Sequence, residues 1–261
     1  MISELERLDI KPLNSLKFWI EGTWNWAMYC FRENLTSPIA FIFDVVYAPA
    51  MVVVGSVSFA HDSASARIFL TAGMVFLAVL ASAVVSLSGI IVSHKERHLL
   101  KRFRATPMST SAIIVGFFGG SAATALLSAI LSYIVAHWMF NVPWPMSMGL
   151  TIVSWIGVLV SSALVAVTLS SFLNRVKTSM SLMMPLFFVF IGVSGLFYPM
   201  KLSPRWLQII SWFSPTRPAS DWFIKSATHS TFVHLYSWEP YVLIAWIIGL
   251  SLVSVASFKW D

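Results

Sequence analysis

Long apolar runs alternate with short polar stretches along this chain, and within each run the apolar residues are contiguous. A helix needs about 20 such residues to cross the hydrocarbon core of a bilayer. Six stretches qualify, at about 38–60, 67–93, 111–140, 146–173, 178–198 and 240–258. Barrel strands would alternate apolar and polar positions, which these runs do not do. The pattern therefore predicts an all-α integral membrane protein with six transmembrane helices.

Composition sharpens this reading. The apolar fraction is 57% and the charged fraction 11%, against about 25% charged in a soluble domain. Too few charges are present to cover a water-exposed surface, so lipid is the expected solvent. The net charge of +6 would suggest nucleic acid in a soluble protein. Here the basic residues sit between apolar runs and act as topology signals, so no nucleic-acid partner is expected. With the N-terminus placed in the cytoplasm, twelve of the 17 Lys and Arg fall on inside segments. Residues 94–110 are densely basic, whereas 138–146 carry none. Both termini of a multi-pass cell-membrane protein are thus expected in the cytoplasm. Residues 1–13 include Glu4, Glu6 and Asp9 and no apolar core, so the first span is expected to serve as the targeting signal. The single cysteine, Cys30, excludes an internal disulfide.

The polar stretches predict three further features. Residues 1–37 form a cytoplasmic N-terminus, in which Ser15–Glu33 reads as an amphipathic helix lying in the interface. Trp19, Trp24 and Trp26 suit the membrane–water boundary. Residues 94–107 predict a short amphipathic helix, with Glu96, Leu99, Leu100 and Phe103 on one face, ended by Thr106-Pro107. This helix is either a basic segment resting on anionic headgroups or a docking helix for a cytoplasmic partner. Residues 199–237 are too polar and proline-rich to span. They predict two short helices, one from Pro204 and one from Ala219, broken apart by Pro215 and Pro218. Its many Trp and Phe residues place that segment in the outer interface or as a re-entrant stretch dipping back into the membrane, forming either an outer gate or an ordinary loop.

Within the spans, Asp44 is the clearest ionisable residue. A mid-bilayer carboxylate costs about 2.5–3.5 kcal/mol on insertion scales. It is either a pathway group or a structural hydrogen-bonding group. Gly116, Gly120, Thr124, Ser128 and Ser132 recur every four residues in the third span, a ridge of small residues suited to close helix packing. The sequence holds no Gly-x-x-x-x-Gly-Lys-Ser/Thr phosphate cradle, no Cys/His metal spacing, and no paired carboxylates or Ser/His/Asp set. Catalytic, cofactor-binding and metal residues are accordingly not predicted.

Two stretches carry a resemblance. KERHLLKRFRATPMS at 95–109 and SGLFYPMKLSPRWLQIISWFSPTRPASDW at 194–222 resemble the first cytoplasmic loop and the pre-terminal segment of type-2 ABC exporter permeases. His98 and Leu99 stand where family members often have Gly-Thr. The resemblance implies a six-span transmembrane domain over 38–261 and a homodimer around a central pathway. Two copies of a separate ABC ATPase would bind ATP and Mg²⁺, so the chain itself is not an enzyme. It assigns Glu96, Arg97, Leu99, Leu100, Arg104, Thr106 and Pro107 to a coupling helix against the ATPase. It assigns Trp19, Trp24 and Trp26 to the interface helix. Gly195, Phe197, Tyr198, Pro199, Pro204, Trp206 and Pro215 would shape an external gate, with Asp44 a pathway candidate. The implied function is export of a lipophilic drug, antibiotic or lipid-like compound, the alternative substrate being a lipid-linked polysaccharide. Two readings of another class are a membrane channel and a membrane-embedded enzyme.

Overall fold

A computed structural model describes residues 15–59, 63–97, 110–145, 147–197, 200, 203–228 and 238–257. These residues form helices and no strand. In chain order they are α1 (Ser15–Thr36), α2 (Pro38–Phe59), α3 (Ala64–Glu96), α4 (Thr110–Phe140), α5 (Met148–Ser171), α6 (Val176–Ser194), α7 (Arg205–Trp212), α8 (Thr216–Thr228) and α9 (Glu239–Ser257).

Five of them, α2 to α6, are long and apolar enough to cross a membrane. They correspond to the first five predicted spans. The apolar stretch of α9, Glu239–Ser254, is shorter than those five. Five spans are therefore what the described residues carry.

Helix α3 is the axis of the bundle. Every residue from Leu70 to Ser88 is buried, as expected of a helix that is apolar all round and enclosed by others. It packs against α2, α4, α5, α6 and α8. Phe76, Leu77 and Leu80 of α3 share one core with Phe187 of α6, Leu196 and Phe223 of α8. Helix α1 lies along α4, where glycines make the approach possible. A Cβ on Gly116 would fall 2.5 Å from Trp26, and one on Gly120 would fall 2.5 Å from the Cys30 Cβ. The predicted small-residue ridge is thus the seat of α1 at one end. Further along, its Ser128 bonds to α2.

Three boundaries differ from expectation. The second span runs through Glu96 and ends at Arg97, whose ψ of 4° leaves the helical region. His94, Lys95 and Glu96 therefore belong to the last turn of α3, not to a separate helix beginning at 94. Residues 98–109, with Leu99, Leu100, Arg104, Thr106 and Pro107, lie outside the described residues, as do Tyr198 and Pro199. The fifth span stops at Ser194 because Gly195 adopts a left-handed φ of 72°, the usual glycine helix stop. Pro218, expected to break a helix, sits in the first turn of α8, which begins at Thr216. Amide hydrogens in a first turn have no helical acceptor, so proline costs little there.

Candidate functional site

The end of the bundle carrying the basic segment after α3 is tied together by two adjacent charges. Lys95 Nζ donates to the Ser170 and Ser171 carbonyls at 2.9 and 3.2 Å. Glu96 accepts from the Val176 amide at 2.8 Å. The last carbonyls of α5 carry partial negative charge, and the first amides of α6 partial positive charge. The cation and the carboxylate therefore each sit where a helix end favours them. Together they bracket the turn between α5 and α6 and attach it to the end of α3.

Beside this bracket α1 arrives. Trp26 stacks on Tyr29 and meets His94 and Phe117 edge-on, with centroids 5.5 and 5.4 Å away. Trp24 is exposed and Trp19 half-buried, so the three tryptophans play different parts. Cys30 is buried against Gly120. Burial pushes its thiol up to about 12, which makes it a packing residue and not a nucleophile. Next to it, Asn34 is 1% exposed, and neither polar atom of its amide has a hydrogen-bond partner.

Deeper in the bundle lies a polar seam. Asp44 is fully buried and accepts from the Ser86 hydroxyl. Ser82 bonds Ser121 and Thr124 at 2.9 and 3.1 Å. Both Asp44 and Ser86 lie in π-helical stretches, Ile42–Val46 and Ser82–Leu87. Such stretches are often functional. The one in α2 has a covalent cause in Pro49, which has no amide hydrogen to give the Val45 carbonyl four residues earlier. Ser128 of α4 donates to that carbonyl instead, at 3.3 Å. The helix is thus loosened at one turn and sealed by its neighbour.

At the opposite end, α7 and α8 pack with different faces. In α7, Trp206, Ile209, Ile210 and Trp212 are exposed while Ser211 is buried. Pro204 is its N-cap. The apolar side of α7 faces outward and its polar side inward, where Arg217 donates to Gln208 and Ser211. Helix α8 buries Trp222, Phe223 and Ile224, and Ser220 donates to the last carbonyl of α6 at 2.7 Å. Its charges are matched. Arg217 lies 3.6 Å from Asp221 and 4.8 Å over the Trp212 ring, and Lys225 pairs with the buried Glu239 of α9. Burial pushes the Asp221 carboxyl up, against the pull of Arg217 and Lys225. Gly195 is buried and Phe197 half-buried just after α6, and Pro215 is buried just before α8.

Residues 21–227 match the model of the ABC-2 type transporter family. The chain belongs to that family. It is also 28% identical over 206 residues to ABC transporter G family member 20 of Dictyostelium discoideum, an alignment covering 73% of this chain. The chain spans 26% of the length of that relative.

For an ABC-2 type transporter chain, the match begins inside α1 and ends inside α8, so it contains the bracket, the seam and the α7–α8 pair. Glu96 sits in the bracket, and Arg97 is exposed at its edge. Asp44 is not near either; it belongs to the seam. Sequence reasoning missed Lys95, Asn34, Ser86, Pro49 and Gly73. Gly73 receives the Leu196 carbonyl where an added Cβ would lie 2.6 Å away. Pro49 carried a readable signal, since a proline in an apolar run names the carbonyl it orphans. Asn34 and Gly73 depend on helices that meet only in the folded chain, and no local pattern marks them.

Proposed function

We propose that this chain is the permease subunit of an ATP-driven exporter that moves a lipophilic or lipid-like amphiphile out of the cytoplasm or inner leaflet. In this reading the basic end is cytoplasmic, α9 completes a sixth crossing, and both termini lie inside. Two copies pair around the pathway and two copies of a separate ATPase bind below.

The observation that carries the reading is the Lys95–Glu96 bracket. A transporter driven from outside its own fold needs a rigid link between the docked ATPase and the helices that re-angle. Segment 98–109 follows directly on the bracket, and the bracket holds α3, α5 and α6 in register. An ATPase that closes on ATP would pull on that segment, and the two-state bundle would respond by differential contact with each state. The π-helical turns in α2 and α3 supply helices that can bend there.

Co-purification of the tagged chain with candidate ABC ATPases tests this. Association is expected with the intact chain and lost with Leu100→Asp, while Glu96→Ala weakens it and leaves the chain monodisperse in detergent. Association indifferent to both substitutions, or no ATPase bound at all, would favour the channel or enzyme readings.

A further inference from the structure

A cavity of about 310 Å³ opens between α1, α2, α3 and α6 at the basic end. One part of its wall is apolar, formed by Ile39 and Ala40 of α2, Val85 and Ile90 of α3, and Met180 of α6. The other part is polar and contains Glu33, Asn34 and Arg97. Of these, Asn34 is almost completely buried, with both its amide nitrogen and its amide oxygen unpartnered. Glu33 Oε2 is also without a hydrogen bond, its nearest cation-forming neighbour being His94 Nε2 at 3.9 Å. His94 cannot turn toward it with its other nitrogen, because Nδ1 is held by the Ile90 carbonyl at 2.8 Å.

Buried polar groups normally find partners, since leaving them bare costs free energy. Here three such atoms belong to Glu33 and Asn34, two residues that line this cavity together with the apolar ones. The donor–acceptor set is mixed. Glu33 offers an anion for an ammonium, Arg97 a cation for a phosphate, and Asn34 both a donor and an acceptor for the polar atoms between them. At about 30 Å³ per water-sized group, the volume holds a headgroup of about ten heavy atoms and no complete two-chain lipid. The tail must leave along the apolar wall.

We infer that this cavity is a headgroup site for a single-chain zwitterionic amphiphile bearing an ammonium and a phosphate, with α1 supplying the recognition residues. The inference names the substrate class of the proposed exporter and rests on that reading for its role in transport. The binding itself does not depend on an ATPase, so the two can fail separately. Ser86 connects the cavity to the seam, since it lines the one and bonds Asp44 in the other. Occupancy would therefore be sensed at the π-helical turn of α3.

The experiment uses the full chain in nanodiscs without any ATPase. The probe is lysophosphatidylethanolamine carrying a diazirine in its acyl chain, compared with lysophosphatidylglycerol carrying the same chain. Photolabelled peptides are mapped by mass spectrometry. The ethanolamine probe is expected to label peptides containing Ile39 or Met180 about tenfold more than the glycerol probe, the ratio that one charge-assisted hydrogen bond supports. Glu33→Gln, which preserves shape, should erase that preference. Asn34→Leu should lower labelling by both probes. Equal labelling by the two heads in the parent chain, or a preference that survives Glu33→Gln, would overturn the assignment. If labelling behaves as expected but the amphiphile never changes ATP turnover with a partner ATPase, the site stands and the exporter reading falls.

Discussion

At the residue scale, the chain concentrates its polar chemistry at a few buried positions that bond to one another. Asp44 was visible in the sequence as a lone acid in an apolar run. Its partner was not, because Ser86 is one of many span serines and only the packing of two π-helical turns selects it. Ser86→Ala removes a hydroxyl that donates to an Asp44 oxygen in this seam. It is expected to destabilise the chain by about 1–3 kcal/mol, the cost of leaving a buried acceptor bare. Ser86→Thr should recover part of the loss. Thermal unfolding in detergent, followed by tryptophan fluorescence, measures both. Asp221 gives a pH signature. Its folded-state value is raised by burial, so the folded chain holds the proton more tightly than the unfolded chain. Stability is therefore greatest at low pH on this account and falls as pH rises from about 4 through the folded value. Asp221→Asn should flatten that fall, with melting temperature against pH as the readout.

At the scale of elements, helix positions were legible because each apolar run is long enough to leave little choice. The ends were less so. Residue 94 looked like the start of a new helix because His94–Arg97 changes composition abruptly, yet the backbone of α3 continues until Glu96 can reach the first amide of α6. The small-residue ridge of α4 was legible as a packing surface, but its occupant was not. Helix α1 fills it, with Trp26 on Gly116 and Cys30 on Gly120. Gly120→Val places side-chain atoms where the Cys30 Cβ and the Ala27 carbonyl already stand. It should cost about 1–3 kcal/mol, as overpacking does, and lift α1 from α4. Faster proteolysis between α1 and α2, with the remaining spans intact, is the expected sign. A cut rate equal to the parent's would mean that α1 gains little from this contact.

At the scale of the whole molecule, one end of the bundle ties three helices to a basic segment and the other end packs a matched set of charges under an outward-facing apolar helix. The family is shown by the match across 21–227, and the sequence had signalled it through the two motifs at 95–109 and 194–222. The bracket at the end of α3 was invisible in the sequence, because Lys95 and Glu96 bond to residues about 75 to 80 positions away. Glu96→Gln keeps a hydrogen-bond acceptor for Val176 but removes the charge facing the α6 N-terminus. It should weaken coupling while leaving folding nearly unchanged, seen as lower amphiphile-stimulated ATP turnover at an unaltered melting temperature. The most direct test of the central claim is flux. The chain and a candidate ABC ATPase that co-purifies with it are placed in proteoliposomes with the ATP-binding side outward, and inward accumulation of a fluorescent single-chain amphiphile is followed on adding ATP and Mg²⁺. Accumulation that requires ATP and is lost with Glu96→Ala is the predicted result. Movement that is equally fast without ATP, or no movement while the ATPase turns over unstimulated, would contradict it.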